Sequence, residues 1–188
     1  GVYRLDLPFL SSLGIPTPIA SASLRIYGNG GKMVPEANGT PRPDDLQENA
    51  ILVVDGGDGQ LNGSDYVLFY AEGPDEWTLD PATRHFTHRR NLYSERSFYY
   101  LTVQGTGLRV TAQASAPVSG ITVTSFDEHY AHELDTVNFL SSGKEWYGEE
   151  FSAIPGRTAS RTFTVETPDI DPSGPVYVQS SVIGRSVG

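Results

Sequence analysis

Short apolar runs of strand length, separated by turn residues, are the feature of this sequence that most constrains its fold. Two such runs, at residues 50–54 and 66–71, are rich in β-branched and aromatic side chains, which favour strands. Between them, residues 55–65 are acidic and rich in glycine, a composition that favours a reversal of the chain. The pattern therefore predicts a β-hairpin with an acidic connection.

Further strand-like runs occur on both sides of this hairpin. Before it, Asp6 can cap a short helix that ends at Gly14, residues 23–27 alternate like a strand, and the glycines of 28–31 favour a turn with positive φ. After it, strand-like runs recur at a spacing typical of a β-sandwich. These runs lie at residues 97–103, 108–112, 120–126, 160–166 and 176–182. Residues 128–140 fit both a helical stripe and an alternating strand, and we favour a bent strand that continues the sheet.

The fold expected from these patterns is mainly β and has two parts. A polar stretch at residues 73–96 predicts a domain boundary or crossover. We expect a smaller β-rich domain with one short helix at residues 1–90, and a β-sandwich domain at residues 91–188. Residues 32–48 contain prolines and show no periodicity, so they predict a long surface loop.

Composition excludes several classes of function. The chain has 13 Lys and Arg against 23 Asp and Glu, a net charge of −10, so it would repel nucleic acid. Its apolar runs are too short for a membrane helix. It contains no cysteine and therefore no cysteine nucleophile or thiolate metal site, and it has no Gly-x-Ser-x-Gly motif. We expect no catalytic residue and no cofactor in this chain.

The acidic connection is the one weak candidate for a metal site. Asp58, Asn62 and Asp65 imitate the second half of an EF-hand calcium loop. The first half does not match, because Val54 and Gly56 stand where carboxylates are needed. The alternative is a turn whose Asp and Gly residues supply the required backbone angles, and the sequence favours that alternative over calcium.

The histidines do not have the spacing of a zinc site. His129, His132 and the adjacent Glu133 differ from the metalloprotease motif, in which two histidines stand four residues apart with Glu after the first. His85 and His88 are three residues apart as well. We therefore predict ordinary surface histidines.

Two further groups of side chains have both a structural and a binding interpretation. The basic residues between Arg84 and Arg90 predict a solvated or salt-bridged loop rather than a binding patch. Trp77, Trp146 and Tyr147 are either buried aromatic residues of the sandwich or a platform on which sugars stack.

Several segments, in order along nearly the whole chain, resemble the amino-terminal region of the type IX secretion sortase (PorU) family. The resemblance is carried by residues 25–36, 41–49, 55–59, 65–73, 86–93, 142–149 and 180–186. It implies a Bacteroidetes cell-surface protein with a downstream gingipain-like cysteine peptidase domain. That domain removes the carboxy-terminal signal of secreted cargo and joins the cargo to anionic lipopolysaccharide. No residue of this chain matches the catalytic His and Cys of the family.

The resemblance leads to a definite expectation about function. The chain begins without an initiating Met or a signal peptide, so we expect it to be the non-catalytic amino-terminal scaffold and interaction region of a larger cell-envelope protein. Its expected partners are its own downstream peptidase domain, other secretion subunits or cargo. Two alternatives are a prodomain-like inhibitor that inserts Arg42 or Arg89 into a peptidase cleft, and a carbohydrate-binding module.

Overall fold

The computed structural model describes residues 1–118, 120–139, 141, 143 and 145–184. The protein is mainly β, as the sequence predicts: the described residues form ten short strands, one α-helix, α1 (Leu7–Ser12), and one 3-10 turn (Ser21–Ser23). The strands are β1 (Val2–Asp6), β2 (Ile19–Ala20), β3 (Leu24–Tyr27), β4 (Glu48–Asn49), β5 (Ile51–Val54), β6 (Gln60–Leu61), β7 (Tyr66–Tyr70), β8 (Glu76–Leu79), β9 (Phe86–Arg89) and β10 (Tyr100–Val103).

The chain divides into two compact units, Gly1–Gly148 and Glu149–Gly188. All the strands of the described residues lie in the first unit. The domain boundary predicted within residues 73–96 falls inside that unit, and independent folding of residues 1–90 and 91–188 stays a prediction.

The predicted hairpin is confirmed as the antiparallel pair β5–β7, which β1 extends into a three-stranded sheet of order β1-β7-β5. In its register, Leu5 and Val53 both pair with Val67, and Leu5 and Val67 are buried. Within the connection, Gln60 and Leu61 form β6 and pair with β2. The turn residues between β5 and β7 thus bring a further buried side chain, Leu61, into the core.

The helix begins where the sequence predicts. Asp6 is its N-cap, and its carboxylate accepts a hydrogen bond from the backbone N–H of Phe9 at 3.0 Å, which satisfies one of the free donors of the first turn. Gly14 follows the last turn with a φ of +80°. Leu10 of the helix is buried and Leu7 packs partly buried against the core, so two side chains anchor the helix.

A second sheet joins residues from both sides of the polar stretch, in the order β10-β3-β4. β10 pairs antiparallel with β3 through all four of its residues, from Tyr100 opposite Tyr27 to Val103 opposite Leu24. The strand predicted at residues 97–103 is therefore confirmed in part, and it belongs to the same sheet as the strand predicted at residues 23–27.

One hydrophobic core serves both sheets. Its eight buried members come from the helix, the strands and the hairpin connection, and partly buried residues that include Phe69, Tyr99, Leu101 and Val103 pack against them. The buried members are Leu5, Leu10, Ile19, Leu24, Ile26, Ile51, Leu61 and Val67. Residues before and after the polar stretch thus share the same apolar interior.

Tyr99 shows why the turn at residues 28–31 needs glycine. Gly30 has a φ of +74°, but Gly28 lies against the Tyr99 ring, and a Cβ on Gly28 would stand 2.5 Å from its Cδ1 atom. The Tyr99 hydroxyl accepts a hydrogen bond from the backbone N–H of Glu72 at 2.8 Å, and its ring meets Phe69 edge-on at 5.4 Å. A side chain at position 28 would therefore displace a ring that is held on two sides.

Glu48, the first residue of β4, ties three segments of the first unit together. One carboxylate oxygen accepts hydrogen bonds from Arg25 Nη2 at 2.5 Å and Nε at 3.1 Å, and the other accepts from the N–H of Leu108 at 2.6 Å. The Arg25 guanidinium, followed by the Leu108 N–H, holds the pKa of Glu48 below its usual value of 4.5. Next to this contact, Arg109 forms a parallel bridge with Ile51.

The polar stretch itself contains a hairpin that was not predicted from the sequence. β8 and β9 pair antiparallel, with Trp77 opposite His88 and Leu79 opposite Phe86. Asp80 closes the turn by accepting hydrogen bonds from the N–H of Ala82 and the hydroxyl of Thr83. The stretch was interpreted as a domain boundary or crossover because polar residues dominate it, but the Trp77–His88 and Leu79–Phe86 pairs stabilise a hairpin there.

Beyond β10, the structure differs from the prediction. The described residues of 104–184 form isolated bridges, Ile51 to Arg109 and Val137 to Tyr147, but no strand. The strands predicted at residues 108–112, 120–126, 160–166 and 176–182, and the described part of the bent strand at 128–140, are therefore wrong for this chain alone. Alternation gives a strand two faces, yet a ladder also needs several consecutive residues paired with a partner strand, and the described residues of these runs form isolated bridges at most. The sandwich stays a prediction.

The second unit is held by short-range contacts. Arg157 and Glu150 form an ion pair at 2.5 Å, and the N–H of Ser152 donates to the carbonyl of Thr158 at 2.9 Å. Both contacts close a loop around residues 153–156, and Gly156 supplies a φ of +83° there. The described residues of this unit form no regular secondary structure.

Candidate functional site

The structure brings the three weak metal candidates together, but their polar atoms bind the loop itself. Asp58 accepts hydrogen bonds from the N–H of Gln60 at 2.8 Å and from Asn62 Nδ2 at 3.0 Å, and Asp65 accepts from the N–H of Asn62 at 2.8 Å. Among the described residues, no group of three or more His, Cys, Asp or Glu could hold a metal ion. These contacts fit the turn interpretation, and the preference for a turn over calcium stays a prediction.

Two histidines that are distant in sequence meet around one tryptophan. The His88 and His129 rings lie 4.7 Å and 4.5 Å from the Trp77 ring, and His129 stacks on Phe86 at 4.0 Å with an interplanar angle of 7°. His88 Nδ1 is 3.3 Å from Glu133 Oε2. We call these four rings the Trp77 cluster. The sequence did not predict this cluster, because no residue spacing around residue 129 indicates a contact with β8 and β9.

Arg89 and Arg90 are ion-paired as the sequence predicts, but the predicted loop is wrong for His88 and Arg89, which lie in β9. Arg89 Nη2 is 2.9 Å from Glu76 Oε2, and Arg90 Nη2 is 2.8 Å from Glu95 Oε1. Arg90 also donates to the carbonyl of Glu133 at 3.2 Å. Arg42, the other candidate for insertion into a peptidase cleft, is exposed. The inhibitor alternative stays a prediction.

The three residues proposed for a sugar platform occupy different surroundings. Trp77 belongs to the Trp77 cluster, whereas Tyr147 packs against Phe139 at a ring distance of 5.0 Å and pairs with Val137. Trp146 lines a separate cleft together with Tyr93. The platform predicted from the sequence is therefore divided, and Trp146 is the member of the three that faces this cleft.

That cavity, which we call the Tyr93–Trp146 cleft, has a volume of about 250 Å³. Aromatic and polar side chains share its lining, which includes Arg90, Tyr93, Ser94, Glu95, Asp135 and Trp146. All of these residues belong to the first unit. Tyr93 and Asp135 were not predicted as site residues, because nothing in their spacing connects residues 90–95 with residues 135–146.

Two strand-like segments expose apolar side chains. In the first unit, Val118 is 100% exposed, Val123 79% and Phe126 82%; in the second, Val178 is 88% and Val182 76% exposed. We call residues 118 and 120–126 the first exposed segment and residues 176–182 the second exposed segment. Both contain runs for which the sequence predicts strands.

The long loop at residues 32–48 is fixed at its two ends. Met33 Sδ accepts a hydrogen bond from the N–H of Leu92 at 3.5 Å. At the other end, Asn29 bonds the backbone on both sides of Leu46: its Nδ2 donates to the carbonyl of Asp45 at 3.1 Å, and its Oδ1 accepts from the N–H of Gln47 at 2.8 Å. The centre of the loop is exposed. A surface loop is confirmed.

Comparison with known proteins gives no match to a protein-family model, a curated protein or a solved structure. Membership of the sortase family thus stays a prediction from the residues quoted above. Within the part of the chain that the structure describes, no helix has the length and apolar character required to cross a membrane.

Proposed function

We propose that this chain is a non-catalytic scaffold and interaction region of a cell-envelope protein of the type IX secretion sortase family. In this proposal the downstream peptidase domain performs the chemistry, and the present chain supports it and contacts its partners. Calcium and other cofactors play no part.

The observation that carries the proposal is the exposure of strand-forming apolar side chains. Val118, Val123 and Phe126 in the first exposed segment, and Val178 and Val182 in the second, are at least three quarters exposed. Single exposed apolar residues are common on protein surfaces, but repeated ones along one segment mark a surface for another protein. β-branched and aromatic residues in a segment whose described residues form no strand also suit the addition of a strand to a partner's sheet.

The rest of the first unit has the properties of a rigid support. Two sheets and the helix share one core, and Glu48 fixes the chain at Arg25 and Leu108. Residues that follow such a framework are held at its surface while they remain free to bind. The proposed arrangement therefore separates stability, which lies before residue 110, from binding, which lies after it.

The partners that fit this chemistry are proteins with an exposed sheet edge or an apolar groove. The downstream peptidase domain is the first candidate because a tether of one chain raises its local concentration. Other secretion subunits and cargo proteins are the further candidates. The net charge of −10 makes nucleic acid a poor partner.

A capture experiment tests the proposal. The purified chain is immobilised and incubated separately with the downstream domain and with an envelope extract, and retained proteins are identified by mass spectrometry. The double variant Val123→Ser, Phe126→Ser should lose the retained partner. The matched control is Val34→Ser, because Val34 is 66% exposed but lies in the long loop.

The two variants can be compared directly because neither removes a buried side chain. Both proteins should keep the unfolding midpoint of the wild type, since the changed residues are exposed in the folded state. Equal retention by wild type and the double variant, with folding intact, would remove the first exposed segment from the proposal. Retention of nothing by the wild type would contradict the interaction role itself.

A further inference from the structure

We infer that the Tyr93–Trp146 cleft binds the terminal sugar of a neutral glycan. This inference is independent of the proposed function, since it rests on the cleft and not on the exposed segments. Three properties of the cleft carry it: a fixed floor, an aromatic wall, and polar groups that can donate to and accept from hydroxyl groups.

The floor is fixed by Asn91, which is only 8% exposed. Its Oδ1 accepts hydrogen bonds from the N–H groups of Tyr93 at 2.9 Å and Ser94 at 3.1 Å, and its Nδ2 donates to the carbonyl of Gly31 at 2.6 Å. The N–H of Asn91 itself donates to Asp75 at 2.9 Å. The backbone beneath Tyr93 is thus organised before a ligand arrives, which lowers the entropy cost of binding.

The aromatic wall is the indole of Trp146, which is positioned by contacts of residues before and after it in the chain. Tyr147, the next residue, pairs with Val137 through hydrogen bonds of 2.8 and 2.9 Å. Trp146 Nε1 donates to the carbonyl of Gly143 at 3.3 Å, and Trp146 is 36% exposed. Aromatic rings with one free face accept the C–H face of a sugar ring while their polar ends stay solvated.

The polar groups of the cleft favour hydroxyl groups over an anionic ligand. Arg90 lies 2.8 Å from Glu95 Oε1 and 3.9 Å from Asp135 Oδ2, so one guanidinium offsets half of the charge of the two carboxylates. The contact to Asp135 is longer than a hydrogen bond, and its side chain is 15% exposed. Asp135 therefore keeps acceptor capacity towards the cleft. A hydroxyl donates to such a carboxylate and accepts from a guanidinium.

The size of the cleft limits what can enter. Its volume of about 250 Å³ lies just below the range of ligand pockets, which is about 300 to about 1,000 Å³. A single terminal ring fits this space better than an extended oligosaccharide. We therefore expect recognition of a chain end.

The chain offers a direct optical test. It contains two tryptophans, so Trp77→Phe leaves Trp146 as the only indole fluorophore. Neutral trisaccharides of glucose, of mannose and of galactose are titrated into this variant, and Trp146 emission is followed. At least one of them should give a saturable change. Binding is then measured by calorimetry in variants that keep both tryptophans.

Two pairs of variants separate the cleft from general effects. Tyr93→Ala should weaken binding by about tenfold, which corresponds to about 1.4 kcal/mol, whereas Tyr70→Ala, at a tyrosine 60% exposed on the β1-β7-β5 sheet, should leave it unchanged. Asp135→Ala should also weaken binding by about tenfold, and Asp135→Asn should restore most of it because the amide oxygen still accepts from a hydroxyl. Urea unfolding of each variant identifies any that fail to fold.

The inference fails if none of the trisaccharides gives a saturable change in Trp146 emission. It also fails if Tyr93→Ala and Tyr70→Ala bind equally well while both are folded. A third contrary result is saturable binding only of charged peptides, such as a lysine-rich or glutamate-rich peptide tested alongside the sugars. That result would assign the cleft to a protein ligand.

Discussion

Replacement of Gly28 by alanine tests whether residues beyond the polar stretch pack into the first half of the chain. A Cβ at this position would stand 2.5 Å from Tyr99 Cδ1 and 2.9 Å from Cε1, so the ring must move. The ring cannot move freely, because its hydroxyl is bound to the backbone of Glu72 and its edge meets Phe69. Overpacking of this kind costs about 1–3 kcal/mol. We expect Gly28→Ala to lower the free energy of unfolding by that amount.

Urea unfolding followed by far-UV circular dichroism measures the effect. The matched control is Gly39→Ala, where a Cβ meets nothing within 4 Å and φ is not positive; its unfolding free energy should stay near that of the wild type. Tyr99→Leu in the Gly28→Ala background should recover part of the loss by removing the obstructing ring. Equal stability of the two alanine variants would refute the packing of Tyr99 against the turn.

Three further predictions concern the same unit. Leu24→Ala should lower the free energy of unfolding by about 2–5 kcal/mol, because Leu24 is fully buried. The control Leu52→Ala, at a residue 44% exposed, should lower it by less than about 1 kcal/mol. Urea titration measures both values. The pKa of Glu48 is lowered, so the ionised carboxylate stabilises the fold above its usual pKa of 4.5, and this stabilisation is lost as the pH falls through the lowered pKa. Glu48→Gln should therefore have a lower free energy of unfolding at neutral pH. Its free energy of unfolding should also fall less steeply with acid, as measured by urea titrations across pH. A fragment of residues 1–90 lacks β10 and should melt below a fragment of residues 1–148 in thermal circular dichroism.

Each of these predictions has a definite contrary result. Equal losses in the two leucine variants would place Leu24 outside the core. Parallel pH profiles for the wild type and Glu48→Gln would mean that the contacts with Arg25 and Leu108 do not form in solution. Equal melting of the two fragments would show that residues 1–90 fold without β10.

Local patterns predicted the first part of the fold well. The helix cap at Asp6 and the hairpin of β5 and β7 depend on neighbouring residues, and both are confirmed. The connection at residues 55–65 was interpreted correctly as a turn, because Asp58 and Asp65 serve the backbone. These features are readable because the interactions that create them are close in sequence.

Features that depend on distant residues were missed. The pairing of Trp77 with His88 and the stacking of His129 on Phe86 depend on how the fold brings separate segments together. No periodicity in the sequence indicates them. The Tyr93–Trp146 cleft has the same origin. At Gly28, the sequence indicated a glycine requirement, but its cause is the Tyr99 ring and not a positive φ.

The strands predicted beyond residue 104 show a different kind of failure. Alternating apolar residues at 120–126 and 176–182 have the period of a strand, yet the described chain offers them no partner ladder, and side chains such as Phe126 and Val178 are exposed. The periodicity of apolar residues predicts which face of a segment favours burial, but burial also requires a second surface that packs against that face. Under the proposed function, that surface belongs to another domain or protein.

Amide hydrogen exchange, compared between the isolated chain and the chain bound to the partner it retains from the envelope, tests the proposed interaction surface most directly. The first exposed segment (residues 118 and 120–126) and the second exposed segment (residues 176–182) should each exchange rapidly in the isolated chain and become protected in the complex, while β3 and β7 stay protected in both. Rapid exchange of both segments in the complex would contradict the claim that each of them binds a partner.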